Sequence, residues 1–176
     1  MKEELNTHPM DSNLLNSLMK TKDYFIADFW NSGHAAQGCI GYGSGKGYFY
    51  IDWDGKILPC VFIPYYKDTV QEIYKKGKKL EDALMGDFFK GGREWQENYL
   101  HGDKHVGNTL MPCFIRDHHK EFFDLLKKTK MKPEDKSAEE AFKDDKFHKW
   151  LMDYDKKLEG LTQPYWKKEY IDKDKK

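Results

Sequence analysis

The sequence predicts an α+β protein: a small antiparallel hairpin or sheet, a cysteine-bearing glycine-rich loop, helices packed on it, and a C-terminal helical extension. Three observations predict it. The aromatic run Tyr48-Phe49-Tyr50-Ile51-Asp52-Trp53 meets the turn pair Asp54-Gly55 and returns through Lys56-Ile57-Leu58, which is the pattern of a hairpin. Downstream of it, apolar residues recur at helical spacing. Upstream of it, glycines gather in NSGHAAQGCIGYGSGKG, whose backbone is free to take positive φ and to approach a ligand closely.

Taken in order, residues 1–12 are polar and read as a tail or linker. Leu14, Leu15, Leu18 and Met19 fit a short helix capped within Asp11-Ser12-Asn13. Tyr24 to Trp30 is a dense apolar strand candidate. Val70 to Tyr74 is ambiguous between helix and strand. Leu80 to Tyr99 reads as one or two helices interrupted near Gly86 and Gly91-Gly92, and HGDKHVGN reads as a loop. Ile115, Phe122, Leu125 and Leu126 share a face, which predicts one helix from about Phe114 to Thr129 with Cys113 at its start. Ser137 and Glu140 form a capping box for a last amphipathic helix, with Ala141, Phe142, Phe147, Trp150, Leu151, Tyr154 and Leu158 on its apolar face and Gly160 as its C-cap. The domain reading is therefore 1–23 as tail and short helix, 24–130 as the cysteine-bearing domain, and 131–176 as the helical extension.

At 176 residues the chain can bury about 70% of its unfolded surface, so size alone demands neither disulfide nor metal. Aromatic residues make up 15% of it, enough to fill a core at a modest apolar content. Thirty basic residues balance thirty acidic ones, which argues against nucleic acid or an anionic membrane as partner. No apolar run reaches the roughly 18 residues of a membrane span, and no signal-peptide core is evident near the N-terminus, so the expected compartment is cytoplasmic.

Three cysteines in a reducing compartment are ligands, nucleophiles or core residues rather than disulfides. Cys60 and Cys113 each follow a proline, in Leu58-Pro59-Cys60 and Met111-Pro112-Cys113, and that proline stiffens the backbone presenting the thiol. A hairpin brings its flanks together, which would let Cys39 face Cys60. Cys113 at a helix start is expected to have its thiolate favoured. Soft thiolates suit iron-sulfur clusters or zinc, whereas widely spaced cysteines on spacing alone are more often core residues.

Cys39, then fifteen residues, Gly55, four residues and Cys60, with Cys113 after a gap, resembles the auxiliary-cluster pattern of the SPASM and Twitch domains, which lie C-terminal to the barrel of radical S-adenosylmethionine enzymes. KLEDALMGDFFKGGR is similar to that family's "SLxEIWxSxxFxxxR" segment at Leu80, Glu81, Leu84, Phe88 or Phe89, and Arg93. The resemblance covers roughly residues 24–128. It implies that Cys39, Cys60 and Cys113 ligate a four-iron four-sulfur (4Fe-4S) cluster in a domain serving electron transfer and the binding of a substrate, often a peptide or protein. The CxxxCxxC motif of the catalytic cluster is absent, as is the CxxC pair of a full SPASM set. S-adenosylmethionine and a second cluster are thus expected only on a barrel domain outside these residues, and the catalytic residues are unknown. For a fourth iron site the candidates, as ligand or neighbour, are His34, Asp117, His118 and His119.

The alternatives are a structural zinc site on the same three thiols with one histidine, and a metal-free module binding a protein partner. GYGSGKG resembles a phosphate-binding loop but lacks glycine at Ile40 and a hydroxyl at Gly47. His118-His119 are adjacent in a helix and point apart. His101 and His105 read as loop residues, and YFYIDW reads as a core strand. Asp54 is explained by turn chemistry.

Overall fold

The computed structural model describes residues 39–43, 47–100 and 107–172. The expected first helix, the Tyr24 to Trp30 strand, His34, His101 and His105 lie outside the described residues. Within them the protein is α+β, with two two-stranded antiparallel sheets and helices around them.

The hairpin forms where expected. Strands β1 (Tyr50–Ile51) and β2 (Ile57–Leu58) pair with Tyr50 opposite Leu58 and Ile51 opposite Ile57. The turn is longer than the two residues predicted: Asp52 N–H donates to the Lys56 carbonyl, and Gly55, at φ +88°, returns its N–H to Asp52. The Asp52 carboxylate also accepts from Asp54 N–H, so the aspartate selects a wider loop and glycine closes it. The aromatic strand is not a core strand: Tyr50 and Ile51 are exposed and Trp53 is 94% exposed, while Ile57 and Leu58 carry the buried side. A second sheet was not legible in the sequence; β3 (Tyr65–Tyr66) pairs with β4 (Lys132–Pro133).

Val70 to Tyr74 resolves as helix. In α1 (Val70–Lys75) Thr69 and Glu72 form a reciprocal capping box, which tips the ambiguous segment. Helices α2 (Leu80–Leu84) and α3 (Asp87–Leu100) break at Gly86, but Gly91-Gly92 do not interrupt α3. They are there for close packing: a Cβ on Gly91 would overlap Leu125, and one on Gly92 would overlap the Tyr42 ring.

The single helix expected over Phe114 to Thr129 is two, α4 (Phe114–Asp117) and α5 (His119–Thr129), broken at His118 with φ −140° and ψ 48°. The last helix is likewise two. Asp135, not Ser137, caps α6 (Lys136–Lys143), and Asp144 caps α7 (Asp145–Trp166) by accepting from Lys146 and Phe147 N–H. Helix α7 runs on through Gly160 and Pro164 into a π-helical turn, Lys167–Ile171. Of its expected apolar face Leu151 is buried, whereas Trp150 is 61% exposed.

The core is aromatic. Tyr42, Phe88, Phe114 and Phe122 are essentially inaccessible, with edge-on or tilted ring contacts throughout. The extension is built into this body, since Tyr65 Oη donates to the Ala138 carbonyl and Asn108 Nδ2 to Thr162 Oγ1. Among the described residues no helix is long and apolar enough to cross a membrane.

Candidate metal centre

The centre begins with Tyr42. It sits at φ +65°, a left-handed conformation that costs an aromatic residue energy, and it is followed by Gly43 at +60°. Packing holds it there, because Phe88, Phe89 and Phe114 surround the ring at 5.8, 6.3 and 6.0 Å between centroids. This reversal folds residues 39–43 back on the end of the hairpin. Tyr42 N–H donates to the Pro59 carbonyl at 2.9 Å, and Gly41 lies so close that a Cβ there would stand 3.0 Å from that oxygen and 3.4 Å from Cys60 Cβ. The Gly41-Tyr42 backbone is thereby laid against Pro59 and Cys60.

Helix α3 fixes the same loop from the other side. Gln96 Nε2 donates to the carbonyls of Cys39 at 2.9 Å and Gly41 at 3.0 Å, and Arg93 bridges the carbonyls of Tyr42 and Leu84 at 2.9 and 2.8 Å. Cys60 opens a tight turn closed by Ile63 N–H, and Tyr48 Oη lies 3.1 Å from its sulfur. Cys113 caps α4: its N–H donates to Asp117 Oδ2 at 3.0 Å, and its carbonyl accepts from Asp117 N–H at 2.7 Å.

The Tyr42 hydroxyl feels all three cysteines electrostatically. Burial first, then the negative charge that Cys39, Cys60 and Cys113 would each carry, pushes Tyr42 well above its ordinary range. The Cys39 thiol is raised by burial, against which the Gln96 amide and the N–H groups of Gly41 and Phe114 favour its charged form. Phe114 follows Cys113, so that donor ties the first cysteine to the third. The Tyr42 hydroxyl is buried and has no hydrogen-bond partner.

One expectation for Cys113 is overturned. Its thiolate is not favoured by the helix, because α4 is a single turn and burial pushes the thiol up to about 12, with the Arg116 N–H only partly offsetting it. Cys39 and Cys113 are therefore neutral thiols that a cation must deprotonate, not activated nucleophiles. Among the described residues no three His, Cys, Asp or Glu side chains approach closely enough to hold one ion. A tetrahedral zinc would need its sulfurs within ~4 Å of one another, given Zn–S bonds of about 2.3 Å; a larger inorganic group spans more. Soft donors on stiff backbone, several N–H groups aimed at sulfur and an orphaned hydroxyl fit a thiolate-bound cluster, whose sulfurs accept such hydrogen bonds.

The candidates for a fourth position are placed elsewhere or already engaged. Both oxygens of buried Asp117 are used by Arg116, at 2.5 and 2.8 Å, and by Cys113 N–H. His118 packs against Tyr99 and Trp95 with Nε2 3.0 Å from the Met111 carbonyl. His119 turns to α7, with its ring nitrogens in hydrogen bonds to the Ile115 carbonyl and to His148. Sequence reading missed Tyr42, Tyr48 and Gln96. The Gly91-Gly92 pair inside a helical pattern was the available signal, since Gln96 lies one helical turn from Gly92 on the face it clears. Comparison with family models, with curated proteins and with solved structures finds no match.

Proposed function

We propose that this chain is an iron-sulfur-binding domain of the auxiliary kind that serves radical S-adenosylmethionine enzymes, with Cys39, Cys60 and Cys113 holding a four-iron four-sulfur cluster. One observation carries the reading: a buried tyrosine hydroxyl with no partner of its own is raised by the charge that each of three well-separated cysteines would carry. The segment that resembles the family's usual "SLxEIWxSxxFxxxR" stretch supports it, because Phe88, Phe89 and Arg93 pack against or bind the Tyr42 reversal. A four-iron four-sulfur cluster, when bound, supplies one-electron redox chemistry. The protein's part is to present thiols from fixed backbone, to direct N–H donors of Gly41, Phe114 and Arg116 at them, and to exclude water with the Tyr42 cage. A role in binding a peptide or protein substrate beside the barrel belongs to the same proposal.

Anaerobic reconstitution with iron and sulfide, followed by metal and sulfide analysis and visible absorption, tests it. About four irons per chain and a broad sulfur-to-iron band are expected, and Cys60→Ala should lose both. Full iron content in Cys60→Ala overturns the assignment. Zinc uptake without sulfide would select the structural zinc reading instead. Unchanged folding and partner binding after all three cysteines are replaced would select the metal-free module.

A further inference from the structure

Away from the cysteines, two buried imidazoles meet head to head. His119 on α5 and His148 on α7 are 3% and 5% exposed, their rings are within 18° of coplanar, and His119 Nε2 lies 2.8 Å from His148 Nδ1. Each outer nitrogen faces a backbone carbonyl: His119 Nδ1 is 2.9 Å from the Ile115 oxygen, and His148 Nε2 is 2.9 Å from the Phe142 oxygen. A carbonyl has no hydrogen to give, so both outer nitrogens must be the donors. Two neutral imidazoles hold two hydrogens between them, and these are then both placed. The inner nitrogens would face each other at 2.8 Å with lone pair against lone pair.

We infer that His119 and His148 bind one excess proton between them, as a buried imidazole-imidazolium pair that fastens the C-terminal helices to α5. Three hydrogens on two rings satisfy all four nitrogens, the third coming from solvent and leaving the pair with one positive charge. A metal ion in that position fits less well, since two Zn–N bonds of about 2.0 Å in tetrahedral geometry separate the nitrogens by more than 3 Å. The surroundings suit a shared cation. Phe123 stacks on His148 with centroids 3.7 Å apart, and Phe142 and Phe147 close the sides. Beyond the phenyl rings, Arg116 from α4, held by Asp117, and Tyr65 from β3 line the cavity below. From α7, the Asp155 carboxylate accepts the His119 backbone N–H at 2.8 Å. Helix α6 contributes only the Phe142 carbonyl to the chain of bonds. Burial, then the neighbouring imidazole, lowers the affinity of His119 for a proton of its own, so it is the 2.8 Å nitrogen-nitrogen contact that holds the shared proton against the cost of burial.

The sign follows. A proton held more tightly in the folded pair than by a free histidine near 6.5 stabilises docking of the C-terminal helices below that value. That contribution is lost as pH rises through the upper step of the pair. The proposal stands apart from the cluster reading and is testable on the full metal-free chain.

Long-range proton-nitrogen NMR on ring-labelled histidine at pH 7.5 should count three N–H hydrogens on the two rings, one strongly downfield, with the rings titrating as a unit between pH 5 and 9. In His148→Asn an amide can donate to His119 without an added proton, so His119 should become a neutral Nδ1–H imidazole at the same pH. Amide exchange within 145–166 offers a second measure. After correction for intrinsic base catalysis, protection should fall at least tenfold above the upper step in the parent and show no such step in His148→Asn. Two neutral rings at pH 7.5, or two independent titrations near 6.5, would overturn the inference. Should His148→Asn fail to fold, the proton count on the parent decides alone.

Discussion

Around Tyr42, burial drives Cys39 and Cys113 toward their neutral forms, N–H groups face their sulfurs, and the Tyr42 hydroxyl has no partner. Around His119 and His148 the imbalance has the opposite sign, for two carbonyls and two inner nitrogens offer four acceptors to two hydrogens. An excess of donors suits an electron-rich guest such as a sulfide-bearing cluster. An excess of acceptors suits a cation, and the smallest one fits the 2.8 Å gap. Burial is common to both centres, so what each can bind is set by its ratio of donors to acceptors and not by its depth.

The largest effect that would break this comparison is a chemical one. With Cys113 raised to about 12, its alkylation by iodoacetamide at pH 8 in the metal-free chain should run about a thousandfold slower than that of a free cysteine near 8.5. A rate like that of the free thiol would mean an activated thiolate and remove the contrast. The linked stability has a definite direction: it is fully present below the unfolded thiol value near 8.5 and declines as pH rises above it toward the folded value.

A smaller, more local effect separates the two centres physically. Gly92→Ala drives a methyl into the Tyr42 ring and should cost about 1–3 kcal/mol by urea denaturation, with the histidine resonances unmoved. A shift at both centres would show that they form one coupled body. The smallest expected effect sharpens the role of the extension. Gly160 sits mid-helix in α7 with open space where a Cβ would go, so Gly160→Ala should stabilise by about 0.5–1 kcal/mol in thermal or urea unfolding. Destabilisation instead would mean that the helix end at Gly160, read from the sequence, is real in solution.

The sequence was informative where interactions are local. Asp54-Gly55 marked the hairpin, Gly86 marked a helix break, and the Pro-Cys pairs marked thiols worth following. It misled where a side chain's partner is distant. Gly91-Gly92 read as breakers because nothing local reveals that Leu125 and Tyr42 need their space, and YFYIDW read as core because aromatic content does not say which face packs. His119 read as a metal candidate beside His118, although the kink at His118 sends the two rings to different helices.

The sequence by itself determined the α+β class, the hairpin and the three cysteines as the residues to watch, because turn residues, periodicity and proline geometry act within a few positions of the chain. Tertiary structure alone decided that Gln96 holds the Cys39 loop and that His119 meets His148, since these contacts join residues 57 and 29 positions apart. Such contacts arise from the packing of aromatic faces, whose partners no local pattern names.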